Sequence, residues 1–131
     1  MLDKIVFDKK EWIFQQKEKK SLEEMKKDIY PSDRDFYNSL KKEQTTFICE
    51  CKKASPSKGI IREDFDLNYI SSVYSKYADV ISVLTDQKYF QGDFKFLGQV
   101  RKKVKQPILC KDFIIDCYQI YLARKHGADA I

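Results

Sequence analysis

The segment FICECKKASPSKG, residues 47–59, joins a short apolar run to a polar turn. Residues 47–49 are predicted as a buried strand, in which successive side chains point to opposite faces. Glu50 and Lys52 therefore share one face where this strand ends. Because a carboxylate and an ammonium are costly to remove from water, this pair, followed by serines and a lysine, favours a site for a phosphorylated, carboxylated small molecule. The alternative is a plain ion pair above a loop.

From residue 46 onward, short apolar runs alternate with segments in which apolar residues have helical spacing. Asp66 is predicted to begin the first of these helices and Gly127 to end the last. Alternation of helices with continuously apolar strands predicts a parallel sheet covered by helices, either a doubly wound sheet or a (β/α) barrel. The runs predicted as strands are residues 47–49, 80–84, 108–110 and 128–131, the last being a strand that only begins.

Residues 1–45 are predicted to form a helical extension, distinct from the strand–helix units of residues 46–131. In residues 4–25 the few apolar side chains suit one narrow stripe on an otherwise charged helix. A proline interrupts that pattern, and Ser32 or Asp33 is the expected cap of a short second helix. These helices carry too few apolar groups to fold alone, so we expect them to pack on the strand–helix units.

The composition predicts a soluble, cytoplasmic protein with one modest core. The chain has 131 residues, of which 43% are hydrophobic and 34% charged. It has neither the roughly 18 uncharged apolar residues of a membrane span nor a secretory signal at its start. The net charge of +5 comes with acids interleaved among the lysines, which favours a solvated helix face over a nucleic-acid-binding stripe. The excess positive charge suits an anionic substrate.

The cysteines do not indicate a metal site or a disulfide. Three of the four lie in strand-like apolar runs, where cysteine is commonly buried as a small hydrophobe. Their spacings match no zinc pattern and His126 is the only histidine, so neither a metal site nor a structural disulfide is predicted. The four cysteines are Cys49, Cys51, Cys110 and Cys117.

Charged residues also follow the second and third predicted strands. Asp86 comes after the second strand, and Lys111 and Asp112 come after the third. In parallel α/β proteins the chemistry lies at these carboxyl ends. Alternation puts Lys111 on the same face as Phe113, where desolvation would move its pKa toward neutrality and suit it to act as a general acid. The alternative is a lysine that reaches from the strand end into solvent.

Tyr89 and Phe90 lie in what is predicted to be a loop, residues 86–92. Two large aromatic rings at that place suit a role in flanking a planar group of a ligand. The alternative is that they pack back on a neighbouring helix. No glycine-rich phosphate motif is present, and the serines of residues 55–57 have no histidine close enough in sequence to suggest a nucleophilic triad.

Three segments, ECKKASPSKG, ISVLTDQKYFQG and PILCKDFIID, resemble those of indole-3-glycerol phosphate synthase in their order and spacing. The start of the chain, with KIV at residues 4–6 followed by Asp8, Lys9 and Trp12, resembles the helical extension of the enterobacterial type. In that type the synthase is often fused to phosphoribosylanthranilate isomerase, so a fused or associated isomerase domain is the implied partner. The resemblance covers essentially the whole chain.

The resemblance implies a (β/α)₈ TIM barrel, of which this chain is an amino-terminal portion of about three βα units preceded by a helical extension. The implied reaction is the cyclisation, decarboxylation and dehydration of 1-(2-carboxyphenylamino)-1-deoxyribulose 5-phosphate. Its product is indole-3-glycerol phosphate, an intermediate of tryptophan biosynthesis. The reaction uses no cofactor and no metal, and its implied partner is this phosphorylated small molecule, without nucleic acid or membrane.

The same resemblance implies the site residues. Lys111 matches the catalytic lysine of the third strand, a general acid toward the substrate carbonyl. Glu50 and Lys52 match the first-strand pair, in which Lys52 holds the substrate carboxylate or phosphate and Glu50 orients it. The matched substrate-binding residues are Ser55, in the loop that follows, and Phe90 and Phe113, which sandwich the anthranilate ring.

Three positions depart from the family pattern. Gln87 stands where a glutamate is usual, Asp93 where a serine is usual, and Cys117 where a proline is usual. Gln87 and Asp93 follow the second strand, so we expect them to alter loop order or substrate affinity. None of the three is a matched catalytic residue.

The length of the chain leaves further hypotheses open. A (β/α)₈ barrel takes about 250 residues, so the chain is expected to be a fragment or a truncated product that is inactive alone. One alternative is a non-catalytic half-barrel that binds a phosphorylated ligand or a partner chain. It predicts ligand binding without turnover, unaffected by Lys111→Ala. A nucleic-acid binder would instead show an affinity that falls steeply with salt.

Overall fold

In the computed structural model, residues 1–131 form seven helices and five short strands. The helices are α1 (Leu2–Lys19), α2 (Leu22–Lys26), α3 (Phe36–Leu40), α4 (Leu67–Tyr77), α5 (Gln87–Phe90), α6 (Phe94–Arg101) and α7 (Cys117–Lys125). The strands are β1 (Ile48–Cys51), β2 (Ala54–Ser55), β3 (Gly59–Ile60), β4 (Val80–Leu84) and β5 (Ile108–Lys111). No helix combines the length and the hydropathy that a bilayer crossing requires.

The predicted parallel sheet is confirmed. Its three strands run in the order β1-β4-β5, and both neighbouring pairs are parallel. The central strand β4 is buried along its whole length, as its continuously apolar sequence predicts. The other two strands, β2 and β3, form a separate antiparallel hairpin in the turn after β1. The predicted fourth strand is reduced to a single parallel bridge between Leu109 and Ala130.

One face of the sheet carries the main hydrophobic core. Alternate residues of the strands face α4 and α6 and pack against the buried side chains of those helices. The sheet contributes five side chains to this core, and the two helices contribute their apolar stripes. The sheet residues are Cys51, Ile81, Val83, Ile108 and Cys110, and the helix residues are Leu67, Ile70, Phe94, Leu97 and Val100.

The prediction of one continuous helix over residues 4–25 is wrong. The helix stops at Lys19, and Ser21 begins a new one because its hydroxyl accepts a hydrogen bond from the amide of Glu24 while the Glu24 carboxylate accepts from the amide of Ser21. This capping box turns the chain so that the buried Met25 packs beside Tyr118 of α7. The expectation that the N-terminal helices pack on the strand–helix units is thereby met.

The expected cap of α3 is also wrong. Asp35 caps this helix, since its carboxylate accepts from the amide of Asn38 at 2.9 Å. The Ser32 hydroxyl instead donates to the buried carboxylate of Asp129, 2.5 Å away. Asp129 also accepts from two arginines and from the Ile108 amide, so it ties the segment before α3 to the start of β5.

Candidate functional site

The carboxyl ends of β1, β4 and β5 meet at one edge of the sheet and surround a hollow of about 310 Å³. This volume lies at the lower end of the range for small-molecule sites, about 300–1,000 Å³. Five of the six residues predicted for the site line it together. The lining residues are Glu50, Lys52, Leu84, Asp86, Phe90, Lys111, Asp112 and Phe113. This set is called the strand-end cavity below.

The register of the sheet explains why the two lysines share this cavity. Lys111 pairs directly with Leu84 of the central strand. On the other side, Cys51 pairs with Val83, so the next residue, Lys52, lies beside Leu84. Lys52 and Lys111 therefore lie on either side of Leu84, about 10 Å apart at their backbones, which is twice the strand spacing.

Glu50 and Lys52 form an ion pair at the mouth of the cavity. Their charged atoms are 2.7 Å apart, and the side chains remain 32% and 34% exposed, respectively. The Ser82 hydroxyl lies 3.5 Å from the other oxygen of Glu50. Because the pair is partly exposed, its mutual attraction is weak. An anionic ligand can therefore replace Glu50 as the partner of the Lys52 ammonium at a small cost in free energy.

The expectation that Lys111 is desolvated is wrong for this structure, because its side chain is exposed to solvent. Its neighbouring carboxylates are engaged elsewhere, since Asp86 and Asp112 both pair with Lys9. Lys111 itself forms no ion pair, so its ammonium is free to donate to a ligand in the cavity.

Beneath Lys111, the thiol of Cys110 faces the core, where burial raises its pKa to about 12. Burial has the same effect on Cys51, at the end of β1, and raises its pKa to about 12. A thiol with such a pKa is almost wholly protonated near neutral pH, and the thiolate is the nucleophilic form. Neither cysteine is therefore suited to act as a nucleophile at the strand ends.

Two phenylalanines form an apolar wall of the cavity. The rings of Phe90 and Phe113 are 6.2 Å apart between centroids and tilted by 42°, which is a direct aromatic contact. A planar group sandwiched between two rings needs about 7 Å between them, because each stacked contact takes about 3.5 Å. A ligand ring can therefore pack against this pair as it stands, and it enters between the two rings only when one of the two side chains rotates.

Phe90 lies on a single helical turn, where a loop was predicted. The Asp86 carboxylate accepts from the amide of Tyr89 at 2.7 Å and begins the turn, and Gln91 ends it in the left-handed region at φ 50°. The turn lies so close to the end of β4 that a Cβ on Gly92 would sit 2.3 Å from the carbonyl oxygen of Leu84. Of the two aromatic residues suggested to flank a planar group of a ligand, only Phe90 lines the strand-end cavity. Tyr89 faces a smaller hollow on the α1 side.

The sixth predicted residue, Ser55, lines a neighbouring open hollow of about 510 Å³. It belongs to the β2–β3 hairpin and pairs with Gly59, whose positive φ of 64° closes the turn. Lys52 and Phe90 line both hollows, so Ser55 lies on the far side of these two residues from Lys111.

Lys9 of α1 is the residue that the sequence reasoning missed. Its ammonium lies 2.7 Å from Asp86 and 2.8 Å from Asp112, and the three side chains are 6%, 4% and 0% exposed. Thr85 donates to the second oxygen of Asp112 at 2.7 Å, so this carboxylate is held from both sides. A signal was present, because Lys9 falls on the same helical stripe as the buried Ile5 and Ile13.

The three departures from the family pattern lie outside the strand-end cavity. Asp93 caps α6 by accepting from the amide of Lys95 at 2.8 Å, a task that a serine also performs. Gln87 lies 3.5 Å from Asp93 through its amide nitrogen. Cys117 is the first residue of α7, behind the cap Asp116, and is exposed.

A second large hollow, of about 690 Å³, lies at the opposite edge of the sheet, where β4 and β5 begin. It is lined by lysines, serines and Gln106, and the carboxylate of Asp79 there pairs with Lys42. None of the residues predicted for the site lies in it. Chemistry in parallel sheets concentrates at the other edge, so the strand-end cavity is the candidate site.

The fold and the cavity define an α/β class: parallel strands, helices on one face, and a cationic, aromatic-lined hollow at the carboxyl ends of the strands. The chain belongs to the indole-3-glycerol phosphate synthase family, whose model matches residues 2–131. The resemblance drawn from the three sequence segments is thereby confirmed at the level of the family.

Individual relatives match along the whole chain. The chain is 62% identical over 131 residues to the tryptophan biosynthesis protein TrpCF of Vibrio parahaemolyticus. The matched region covers 100% of this chain and 27% of that protein. The chain is 60% identical over 131 residues to TrpCF of Vibrio cholerae, 100% of this chain and 28% of the relative. Against TrpCF of Salmonella typhi the identity is 58% over 130 residues, 99% of this chain and 29% of the relative. The chain thus spans a little over a quarter of the length of these relatives.

Proposed function

We propose that the strand-end cavity is part of an active site that forms indole-3-glycerol phosphate from 1-(2-carboxyphenylamino)-1-deoxyribulose 5-phosphate. The observation that carries this proposal is the position of Lys52 and Lys111 on either side of Leu84, above one cavity with Phe90 and Phe113 in its wall. Membership of the family supports the same assignment.

The reaction begins when the ring carbon that bears the carboxylate attacks the ketone carbon of the sugar chain. The new carbon–carbon bond pushes the carbonyl electrons onto oxygen, so an acid must deliver a proton there as the bond forms. Lys111 is the proposed donor. Loss of carbon dioxide then returns the electrons of the broken bond to the aromatic ring. Finally the new hydroxyl takes up a proton and leaves as water, while the neighbouring carbon, next to the nitrogen, gives up a proton, and the double bond of the five-membered ring forms.

Lys52 is proposed to neutralise the substrate carboxylate or phosphate, with Glu50 holding its ammonium in place before the ligand binds. Phe90 and Phe113 are proposed to hold the anthranilate ring so that the reacting carbons are aligned, because fixing two reacting groups removes much of the entropic barrier. Ser55, on the hairpin next to Lys52, is proposed to bind the substrate at the outer edge of the site.

For the architecture, we propose that the three parallel strands belong to a (β/α)₈ TIM barrel, with residues 1–45 as its helical extension and residues 46–131 as its first strand–helix units. The strand order β1-β4-β5 supports this, because each strand lies beside the next parallel strand in the sequence. The greater length of the TrpCF relatives leaves room for a phosphoribosylanthranilate isomerase domain, which we propose as a fused partner.

The test is formation of indole-3-glycerol phosphate by the protein as its intact gene encodes it. We expect turnover in the wild type and a loss of about 10²-fold or more in kcat for Lys111→Ala, the range associated with a missing general acid. Lys76→Ala, an exposed lysine on α4, is the matched control and is expected to keep wild-type activity. Ligand binding without turnover in the wild type would instead favour a non-catalytic binding protein.

A further inference from the structure

The turn that carries Phe90 is held from outside by the first helix. The Tyr89 hydroxyl donates a hydrogen bond to the Asp8 carboxylate of α1, and Lys88 Nζ lies 2.6 Å from the same oxygen. In the preceding part of the turn, the cap Asp86 pairs with Lys9 at 2.7 Å. Two consecutive residues of α1 thus contact this turn, Lys9 at its cap and Asp8 at the two middle residues of α5.

Tyr89 and Phe90 point to different sides of this turn. Tyr89 lines a hollow of about 190 Å³ together with Asp8 and Trp12, whereas Phe90 lines the strand-end cavity. Because the turn contains only four residues, a shift of Tyr89 must move the backbone from which Phe90 projects. The contact between Tyr89 and Asp8 therefore affects the position of Phe90 in the wall of the strand-end cavity, although neither Tyr89 nor Asp8 lines that cavity.

We propose that the hydrogen bond from Tyr89 to Asp8 is a positioning device that sets the place of the Phe90 ring for an aromatic substrate. The inference rests on the proposed function, since it assigns Phe90 to the anthranilate ring. Tyr89 and Asp8 act through Phe90 and are positioning residues, which do not touch the reacting atoms.

The contacts of Tyr89 and Lys88 with Asp8 are together called the tether. Of the two, the Tyr89 hydroxyl contributes more to holding the turn than the Lys88 ammonium does. The Lys88 side chain is 61% exposed, and an ion pair at such a place contributes little. A hydrogen bond from a phenol to a carboxylate is charge-assisted and stronger than one between neutral groups. The bond to Asp8 also raises the pKa of Tyr89 to about 12, so the tyrosine keeps its proton and remains the donor throughout the neutral range.

Steady-state kinetics of the protein as its intact gene encodes it test this inference. In Tyr89→Phe and Asp8→Ala we expect KM for the substrate to rise about three- to tenfold, the range associated with one hydrogen bond, with kcat within about twofold. Inhibition by inorganic phosphate, which has no ring, should not change. Asp8→Asn keeps an oxygen that can accept from Tyr89, but only in a weaker, neutral hydrogen bond, so its KM should rise less than that of Asp8→Ala. Lys88→Ala should remain within about twofold of the wild-type KM.

Each of these outcomes decides something. An unchanged KM in both Tyr89→Phe and Asp8→Ala overturns the inference. A rise in KM for Lys88→Ala or Asp8→Asn as large as that for Asp8→Ala also overturns it, since charge and not the hydrogen bond would then hold the turn. A parallel weakening of phosphate inhibition also overturns it, because the effect would not depend on the ring.

A second measurement separates this inference from the proposed function. Amide hydrogen exchange at Tyr89, Gln91 and Gly92, whose N–H groups close the turn, should become faster in Tyr89→Phe than in the wild type. If the wild type makes no indole-3-glycerol phosphate, the proposed function fails. The exchange rates then still test whether the Tyr89–Asp8 hydrogen bond holds the turn, and unchanged rates in Tyr89→Phe would contradict that. If the wild type is active and both KM and exchange are unchanged in the variants, only the tether fails.

Discussion

The ammonium of Lys9 lies 2.8 Å from the carboxylate of Asp112, the residue that directly follows Lys111. The same ammonium lies 2.7 Å from Asp86, which begins the turn that carries Phe90. One lysine of the first helix therefore joins the residues that follow β4 and β5, and all three side chains are almost wholly buried. The N-terminal helix thus holds in place two residues that line the strand-end cavity, Asp86 and Asp112.

Removing Lys9 should be costly to stability. Lys9→Ala leaves the carboxylates of Asp86 and Asp112 buried without a counter-charge, and breaking a buried ion pair in this way costs about 3–5 kcal/mol. The measurement is urea unfolding of the protein as its intact gene encodes it. Lys10→Ala removes an exposed neighbour on the same helix and should change the free energy of unfolding by less than about 0.5 kcal/mol. A cost below about 1 kcal/mol for Lys9→Ala would contradict the assigned role.

Two glycines should respond oppositely to alanine. In Gly92→Ala the new Cβ would lie 2.3 Å from the Leu84 carbonyl, so the backbone must shift, at a cost of about 1–3 kcal/mol and with displacement of Phe90. In Gly98→Ala the nearest atom is 3.7 Å away inside α6, where alanine favours the helix by up to about 1 kcal/mol. Thermal unfolding of both variants is the measurement. Equal stability of the two would be inconsistent with the close packing of α5 on β4.

Thiol labelling should separate the cysteines by burial. Cys117 is exposed, whereas burial raises the pKa of Cys51 and Cys110 to about 12. At pH 8 only roughly one in ten thousand of each buried thiol is ionised, so labelling of these two should require unfolding. With a chromogenic disulfide reagent, the number of fast-reacting thiols should fall by one in Cys117→Ser and stay the same in Cys110→Ser. A fall by one in Cys110→Ser would show that the reagent reaches Cys110 in the folded core.

His126 should make the folded state sensitive to mild acid. Its ring packs 6.0 Å from Phe94, and burial, followed by the charge of Lys125, lowers its pKa below 6.5. Since the unfolded chain binds the proton more readily, stability is complete above pH 6.5 and falls as the pH drops through the lowered pKa. Urea midpoints between pH 7.5 and 5 measure this. His126→Gln should flatten the dependence in that window, and an equally steep fall in the variant would assign it to other groups.

Much of the sheet was predictable because its strands are continuously apolar. Residues 80–84 were predicted as a strand and form β4 without any change of bounds. The outer strands run further than their apolar cores, through Cys51 and Lys111, because backbone pairing with β4 continues where the side chains become polar. The meeting of Lys52 and Lys111 was likewise predictable, since the carboxyl ends of parallel strands share one edge.

The remaining features depend on contacts between distant parts of the chain. The pairing of Lys9 with Asp112 and of Asp8 with Tyr89 follows from how α1 lies on the strand ends, which no local pattern encodes. The exposure of Lys111 depends on its surroundings at the strand end, and alternation along β5 indicates only its face. The helical turn of α5 arises because Asp86 caps a segment too short for any periodicity to be visible.

The most direct test of the central proposal is a crystal structure of the protein, as its intact gene encodes it, with the carbonyl-reduced form of the substrate. We expect Lys111 Nζ at about 3 Å from the hydroxyl that replaces the ketone, and Lys52 Nζ at a similar distance from the ligand carboxylate or phosphate. The ring should contact Phe90 and Phe113. A ligand bound at the opposite edge of the sheet, or one that contacts only one of the two lysines, would contradict the proposal.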